Sequence, residues 1–269
     1  MTVARDPDRP GNLTALRDCR HGRMVYLRND RIIGRSLELY GEWSEGEVDV
    51  FRQIVVPGDV VVEAGANIGA HTVCLARLVG PSGAVVAYEA QRFVHQLLCA
   101  NLAINEILNV HARLAAAGAA AGTINVPALD YASPNNVGGL SLGGQGGELV
   151  PVETIDALRL PRLKLLKIDV EGMESDVLTG AADTLNRLRP VLYVENDRGA
   201  KSEPLIRLIQ GFKYRLWWHL PPYYHPANFS GNAENAFGGL VSINMLCMPW
   251  EYTGTVTGLR EVSGPEDRP

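Results

Sequence analysis

Residues 60–69 read VVVEAGANIG, an apolar run that ends on a carboxylate and then on two glycines. A continuous apolar run of this length predicts a strand buried on both faces, as in a parallel sheet. The glycines predict a tight turn into a helix. Ligands of open α/β sheets bind where the carboxyl end of a strand meets such a turn. The stretch therefore predicts the fold class and the place of a ligand site together.

The rest of the chain alternates short β-type runs with amphipathic helical stretches, which predicts an α/β fold with a mostly parallel sheet and helices on both faces. Strands are predicted at 60–64, 84–89, 109–114, 163–169 and 191–195, and helices at 69–79, 92–105, 174–188 and 201–211. The runs KYRLWWHL and LVSINMLCM predict two further strands. The alanine-rich run 115–122 predicts a helix or a tight loop of small residues against a flat partner.

One domain with additions accounts for the 269 residues. We predict an N-terminal extension or cap over 1–55, a ligand-binding domain over 56–253 and a flexible tail over 254–269. Within the domain, the glycine-rich loop 131–147 and the aromatic, proline-rich loop 221–239 are predicted substrate loops. For loop 131–147, a mobile lid and a plain disordered insertion are equally open.

Composition excludes several classes of protein. A net charge of −5 without a basic run argues against a nucleic-acid partner. No apolar run is long enough to predict a membrane span. Residues 1–12 are polar, predict a loose tail and lack the apolar core of a secretory signal, so we expect a cytoplasmic protein. The four cysteines are scattered without zinc-site spacing, and we expect them to be reduced.

The residues of the glycine turn favour one ligand. Asn67 replaces the second glycine of the dinucleotide fingerprint, which argues against a pyrophosphate and therefore against NAD. A carboxylate at Glu63 repels phosphate but attracts an ammonium or a sulfonium. Glu89 ends the next strand, where an acid accepts the hydroxyls of a ribose, although it could also be a plain exposed strand end. Together these features favour S-adenosylmethionine.

The run YGEWSEGEVDVFRQIVVPGDVVVEAGANIGAHT, the strand ending in YEA, and the blocks LKLLKIDVEGMESDVLTGA and PVLYVEND resemble the FkbM family of S-adenosylmethionine-dependent methyltransferases over about residues 24–198. The resemblance implies a class I, Rossmann-like methyltransferase fold with a seven-stranded sheet whose last strand is antiparallel. It also implies O-methylation of a sugar or natural-product hydroxyl. The cofactor residues that it implies are Glu63, Gly65, Ala66, Asn67 and Gly69 around the methionine half, Glu89 and Ala90 at the ribose, Ala116 and Ala117 at the adenine, and Asp169.

Methyl transfer to a hydroxyl requires a base or a metal ion to remove the proton. Asp169 ends one predicted central strand, and Glu195 and Asn196 end the next, so all three are expected at one sheet edge. This oxygen set suits Mg²⁺ or Ca²⁺, as in the similar arrangement of catechol-type O-methyltransferases. Without a metal, Asp169 or Glu195 is the candidate base, with Lys167 as a partner for a carboxylate.

Several other side chains have two open interpretations. His219 follows two tryptophans and is either a base or a packed residue. Glu171 and Glu174 act in chemistry, or cap and ion-pair the start of the next helix. Five aromatic side chains either offer flat faces to a ring-shaped acceptor or take part in ordinary packing: Trp217, Trp218, Tyr223, Tyr224 and Phe229.

The leading hypothesis is an O-methyltransferase in natural-product biosynthesis that acts on a small polar acceptor. The alternatives are an N-methyltransferase, which needs no metal, and a non-catalytic protein that retains the cofactor fold. A nicotinamide-dependent oxidoreductase is disfavoured by Asn67 and Glu63. The exposed aromatic segment leaves a homodimer open.

Overall fold

The computed structural model describes residues 12–269, so that all but the last residue of the predicted N-terminal tail, 1–12, lies outside the described residues. The chain begins with an antiparallel hairpin and two helices, none of which was predicted individually within the 1–55 extension. These elements are β1 (Thr14–Cys19), β2 (Gly22–Leu27), α1 (Ile33–Tyr40) and α2 (Glu45–Ile54).

The middle of the chain has the predicted alternation of strands and helices. Its first part comprises β3 (Val60–Ala64), α3 (Ala70–Val79), β4 (Ala84–Glu89), α4 (Arg92–Ile104), β5 (Val110–Leu114), β6 (Ala116–Ala117), β7 (Gly122–Val126) and β8 (Glu148–Glu153). After a short 3₁₀ turn, the second part comprises β9 (Leu165–Ile168), α5 (Glu174–Thr179), α6 (Ala182–Leu188), β10 (Val191–Glu195), α7 (Gly199–Gly211), β11 (Tyr214–His219), β12 (Asn244–Pro249) and β13 (Arg260–Glu261).

The main sheet has the strand order β13-β11-β12-β10-β9-β3-β4-β5. The pairs among β5, β4, β3, β9 and β10 are parallel, whereas β12 lies antiparallel between β10 and β11. The predicted count of seven strands is wrong by one, because β13 pairs with the outer edge of β11 and satisfies backbone groups there. This strand belongs to segment 254–269, where Val262 is also buried, so part of the expected flexible tail is attached to the sheet.

The helix predicted at 174–188 is two helices, α5 and α6, interrupted at Gly180. A side chain at Gly180 would collide with the backbone carbonyl of Gly118. That close approach joins the helix break to the alanine-rich run, which forms the two-residue strand β6 and a turn, and not a helix. Strand β6 belongs to a small second sheet of order β6-β8-β7.

Loop 131–147 is attached to the N-terminal segment in the structure. The Asn29 side chain donates hydrogen bonds to the carbonyls of Tyr131 and Ala132. Val137 is buried, and its N–H donates to the carboxylate of Asp30. This loop therefore lies across the carboxyl edge of the main sheet, as a cover would.

The core forms one apolar layer on each face of the main sheet. The central strands read VVVEA and LLKI, and all of their residues are buried, because helices cover both faces. Glu63 and Lys167 are the only charged residues of these two strands, and they are register partners across the sheet. Within the described residues, no helix is long and apolar enough to cross a bilayer.

Candidate active site

The main cleft lies at the carboxyl ends of β3, β4, β9 and β10. It encloses about 1100 Å³ between protein atoms, with its open mouth included. One end is formed by the glycine turn, the end of β4 and loop 131–147, the cover loop. The other end is lined by carboxylates and by residues of the flanking segments, among them Trp43, Glu47, Tyr223, Ser242 and Asn244.

The glycine turn brings β3 against the end of β9. Gly65 has a φ of +86°, and an added Cβ there would lie 1.7 Å from the backbone oxygen of Asp169. Gly69 has a φ of +88° immediately before α3. The N–H groups of Gly65 and Ala66 both donate to the carbonyl of Tyr88 at the end of β4. Only glycine fits this approach, which leaves backbone atoms facing the cleft.

Glu89 is buried at the end of β4, with one oxygen accepting from the N–H of Asn67 at 2.9 Å and the other from the N–H of Gln91 at 2.8 Å. Burial raises the pKa of Glu89 to about 7, and these backbone hydrogen bonds oppose the shift. Asn67 has a φ of +50°, which asparagine tolerates better than most residues. The acid and the turn therefore form one unit, and the contact of Glu89 with a ribose stays a prediction.

Small residues form part of the cleft wall. Ala90, Ala116 and Ala117 all line it, and Leu140 of loop 131–147 packs against the cluster that contains Ala90 and Ala116, so their contact with an adenine stays a prediction. Gln91, which the sequence analysis missed, donates to the carbonyl of Val137 at 2.9 Å and so ties the cover loop to β4. Its position directly after the strand-end acid and Ala90 is the signal that could have found it.

A buried ammonium lies between two of the predicted carboxylates. The Lys167 Nζ lies 3.4 Å from the nearest oxygen of Glu63 and 3.3 Å from that of Asp169. Burial lowers the pKa of Lys167, but the carboxylates of Asp169, Glu63 and Glu47 outweigh it and raise the pKa overall. Thr72 donates to the other oxygen of Glu63 at 2.6 Å. The cation that Glu63 attracts in the structure is Lys167, so its expected contact with the ligand stays a prediction.

Glu47 was not singled out by the sequence analysis because it comes from α2, within the N-terminal extension. It is buried, accepts a hydrogen bond from Ser44 at 2.8 Å and lines the cleft. Burial raises the pKa of Glu47, while Lys167 opposes this shift.

Three partly buried carboxylates of the cleft wall converge. Asp169, Glu171 and Glu195 each place an oxygen within 4.8 Å of the others. Burial, with the charge of Asp169, raises the pKa of Glu171 to about 7 even though Arg198 pairs with it. Burial, and then the charges of Asp169 and Glu171, raise the pKa of Glu195 well above its ordinary value. Glu171 has a φ of +57°, which is unusual for this residue type and common at functional sites.

Of the predicted metal set, Asp169 and Glu195 line the cleft, whereas Asn196 does not. The amide nitrogen of Asn196 donates to the Ser202 hydroxyl at 3.0 Å, and its amide oxygen is buried without a hydrogen-bond partner. Glu171, with its left-handed backbone, places a carboxylate beside Asp169 and Glu195. The set of Asp169, Glu195 and Asn196 therefore stays a prediction.

His219 lies outside the cleft wall, with its Nδ1 2.7 Å from the hydroxyl of Tyr193. Burial lowers the pKa of His219. Of the aromatic candidates, Tyr223 lines the cleft and packs 4.9 Å from the Trp43 ring. The others do not line it: Trp217 and Trp218 are buried in the sheet, Tyr224 packs on Tyr40, and Phe229 is exposed.

The strand order, with antiparallel β12 between β10 and β11, and the glycine turn beside an acidic strand end define the class I methyltransferase fold. A family model described as the methyltransferase FkbM domain matches residues 63–216, more than half of the 269-residue chain. The chain therefore belongs to the FkbM methyltransferase family and is an S-adenosylmethionine-dependent methyltransferase, as its sequence predicts.

Several solved structures are similar to this chain at low sequence identity. Methyltransferase FkbM from Methylobacillus flagellatus KT is similar at 15% identity and a TM-score of 0.48, over 75% of this chain and 50% of that one, so this chain spans half its length. TYW2 from M. jannaschii, solved in complex with AdoMet, is similar at 14% identity and a TM-score of 0.49, over 89% of this chain and 87% of that one. A SAM-dependent O-methyltransferase from Thermotoga maritima is similar at 15% identity and a TM-score of 0.42, over 76% of this chain and 65% of that one. With TM-scores below 0.5, these likenesses add nothing to the family assignment.

Proposed function

We propose that the protein transfers the methyl group of S-adenosylmethionine to a hydroxyl of a small sugar or natural-product acceptor. The observation that carries this proposal is the cluster of Asp169, Glu171 and Glu195 in the cleft wall, beside the glycine turn. An acceptor oxygen attacks the methyl carbon, the carbon–sulfur bond breaks, and sulfur keeps the electron pair. The hydroxyl proton passes to a carboxylate.

Glu195 is the proposed base, with Asp169 beside it. A carboxylate whose pKa is raised binds the departing proton better than an ordinary one. Burial and the charges of Asp169 and Glu171 raise the pKa of Glu195 in this way. An amine acceptor would not need such a group, which favours oxygen over nitrogen as the nucleophile.

The same carboxylates fit a divalent ion. Asp169, Glu171 and Glu195 offer hard oxygen ligands within 4.8 Å of one another, and one buried oxygen of Glu195 has no hydrogen-bond partner. Bound Mg²⁺ or Ca²⁺ would lower the pKa of an acceptor hydroxyl. In that case Asp169 and Glu195 would hold the ion as ligands.

Acceptor recognition is proposed to rest on segments that flank the matched family domain. Trp43 and Glu47 come from the N-terminal 1–55 region, and Tyr223 comes from loop 221–239. The paired rings of Trp43 and Tyr223 provide apolar faces beside carboxylates, a combination that suits a hydroxyl-bearing ring.

The test is a methyl-transfer assay with S-adenosylmethionine and a panel of methyl glycosides, phenols and primary amines, with the products identified by mass and NMR. We expect methylation at oxygen, and a loss of kcat of about 10²–10⁴-fold in Glu195→Gln, with the affinity for S-adenosylhomocysteine unchanged. The matched control is Glu203→Gln, an exposed carboxylate on α7 that pairs with Arg207. Transfer to amines alone, or full activity of Glu195→Gln, would contradict the proposal.

A further inference from the structure

The charge of the cleft raises a problem for one part of the cofactor. S-adenosylmethionine carries a carboxylate in addition to its ammonium and sulfonium groups. The cleft wall contains six acidic side chains but only one lysine and one histidine, and like charges repel. The acidic residues of the wall are Glu47, Glu63, Glu89, Asp169, Glu171 and Glu195. The cofactor carboxylate therefore needs a donor that these acids have not already engaged.

Lys167 does not meet this need, because its ammonium already lies between Glu63 and Asp169. Apart from Lys167, His71 is the one side chain among the described residues of the cleft wall that can carry a positive charge. It is 4% exposed, lines the cleft and has an Nε2 without a hydrogen-bond partner. Its ring donates to the backbone carbonyl of Trp43 and packs edge-on against Phe51, which holds its orientation. Buried polar groups in proteins almost always have a partner, so this nitrogen indicates a missing one.

His71 is also the second residue of α3, the ten-residue helix that begins at Ala70 after the glycine turn. The N–H groups in the first turn of a helix have no partner within the helix, and they carry its positive end. No side chain caps this terminus, and its first turn has no acidic residue. Ala70 and His71 both line the cleft. The helix terminus and the free imidazole nitrogen thus meet at one place.

We propose that the N-terminus of α3 and His71 together bind the methionine carboxylate of the cofactor, and that His71 takes up a proton from solvent as the cofactor binds. The Nε2 lone pair accepts the proton and then donates that N–H to the carboxylate, which stays ionised. The proposal rests on S-adenosylmethionine as the methyl donor and is independent of the identity of the acceptor.

The surroundings of His71 explain why the proton arrives with the ligand. Burial, and then the charges of Lys167 on β9 and His21 in the β1–β2 turn, lower the pKa of His71 well below its ordinary value. Glu63 on β3 and Glu47 on α2 also line the cleft; burial raises the pKa of both, and Lys167 is the cation that opposes these shifts. The free protein therefore holds a neutral imidazole at pH 7. A carboxylate at Nε2 adds the negative charge that favours an imidazolium.

The test compares S-adenosylmethionine with decarboxylated S-adenosylmethionine, which retains the ammonium and sulfonium and lacks only the carboxylate. Both are titrated into the intact protein by calorimetry in buffers of different ionisation enthalpy. An acidic cleft without a carboxylate site would bind the more cationic, decarboxylated compound more tightly. We expect the opposite order by about tenfold or more. We also expect a net uptake of protons that is larger for S-adenosylmethionine than for the decarboxylated compound.

Two variants separate binding from folding. Asparagine in His71→Asn can still donate to the Trp43 carbonyl but lacks the nitrogen that faces the cleft. We expect its affinity for S-adenosylmethionine to fall about tenfold to a hundredfold, with the affinity for the decarboxylated compound nearly unchanged. The control is His111→Asn, an exposed histidine on β5. Melting temperatures of all variants report on folding.

The possible outcomes separate the role of His71 from the binding of S-adenosylmethionine itself. Equal losses for both compounds in His71→Asn, tighter binding of the decarboxylated compound to the wild type, or equal proton uptake would overturn the role of His71 and leave the cofactor assignment intact. Failure of the wild type to bind either compound would overturn the cofactor assignment and this proposal with it.

Discussion

Gly65→Ala is expected to be severe because the glycine turn presses against a neighbouring strand. Alanine at a φ of +86° costs about 1–2 kcal/mol. Its Cβ would also lie 1.7 Å from the backbone oxygen of Asp169, so the ends of β3 and β9 must separate by roughly 1 Å or more. Overpacking of this kind adds about 1–3 kcal/mol. We expect the free energy of unfolding to fall by roughly 2–5 kcal/mol in total.

Gly144→Ala is the matched control. Gly144 has a φ of +85°, and nothing lies within 4 Å of an added Cβ there. It shares the backbone cost and lacks the collision. At roughly 2–4 °C per kcal/mol for a chain of this size, we expect a melting temperature about 5–20 °C lower for Gly65→Ala and at most about 8 °C lower for Gly144→Ala.

Cofactor binding gives the second measurement for the same pair. A shift of about 1 Å between Asp169 and the turn is expected to weaken S-adenosylhomocysteine binding about a hundredfold in Gly65→Ala, since positioning errors of this size have effects of that order. Gly144→Ala is expected to bind normally. Equal melting temperatures and equal affinities in the two variants would refute the close approach that we infer from the structure.

Three further predictions concern charged groups of the cleft. The ratio of the wild-type affinity for S-adenosylhomocysteine to the Glu89→Gln affinity should increase as the pH rises through about 7. The reason is that burial raises the pKa of Glu89 to about 7, while the ribose hydroxyls favour its ionised form. Calorimetry at pH 6 and pH 8 measures this ratio, and a constant ratio would contradict the prediction. Lys167→Met should lower the free energy of unfolding by about 3–5 kcal/mol in urea titrations, because it leaves buried carboxylates unpaired, and adding Glu63→Gln should restore part of the loss; no restoration would argue against the pair. Mn²⁺ titrations followed by electron paramagnetic resonance should show weaker binding for Glu171→Gln and unchanged binding for Asn196→Ala, and the reverse order would support the original metal set.

The central strands and the glycine turn after β3 could be predicted because each depends on a short-range sequence pattern. VVVEA and VLYVE are strands with the predicted bounds, since a continuous apolar run between turns has no better way to bury both faces. Glycines followed by a helix predicted the tight turn at Gly65, and the structure adds its close approach to Asp169. The strand-end acid at Glu89 followed from the spacing of one β-turn-α-β unit.

The missing parts of the prediction depend on contacts between distant segments. Glu47 and Trp43 reach the cleft only because α2 packs beside α3, which no local pattern shows. The break between α5 and α6 follows from the approach of Gly180 to Gly118, which lies far away in sequence. Glu171 lies beside Asp169 and Glu195 through a left-handed backbone conformation, which strand ends in the sequence do not reveal.

His71 had a signal in the sequence that was not used. It stands two residues after Gly69, in the first turn of a helix that begins at the ligand site. Sequence reasoning concentrated on acids and on His219, because a histidine beside tryptophans was easier to notice. The charge balance of the cleft, which only the folded chain shows, is what gives His71 its importance.

The proposed function depends most directly on which nucleotide-like ligand the cleft binds. Titration of S-adenosylhomocysteine and of NAD⁺ into the purified protein by calorimetry tests this in one experiment. We predict saturable binding of one S-adenosylhomocysteine per chain and no heat of binding for NAD⁺. Binding of NAD⁺ with none of S-adenosylhomocysteine would contradict the interpretation of Glu63, Asn67 and Glu89 on which the proposed function rests.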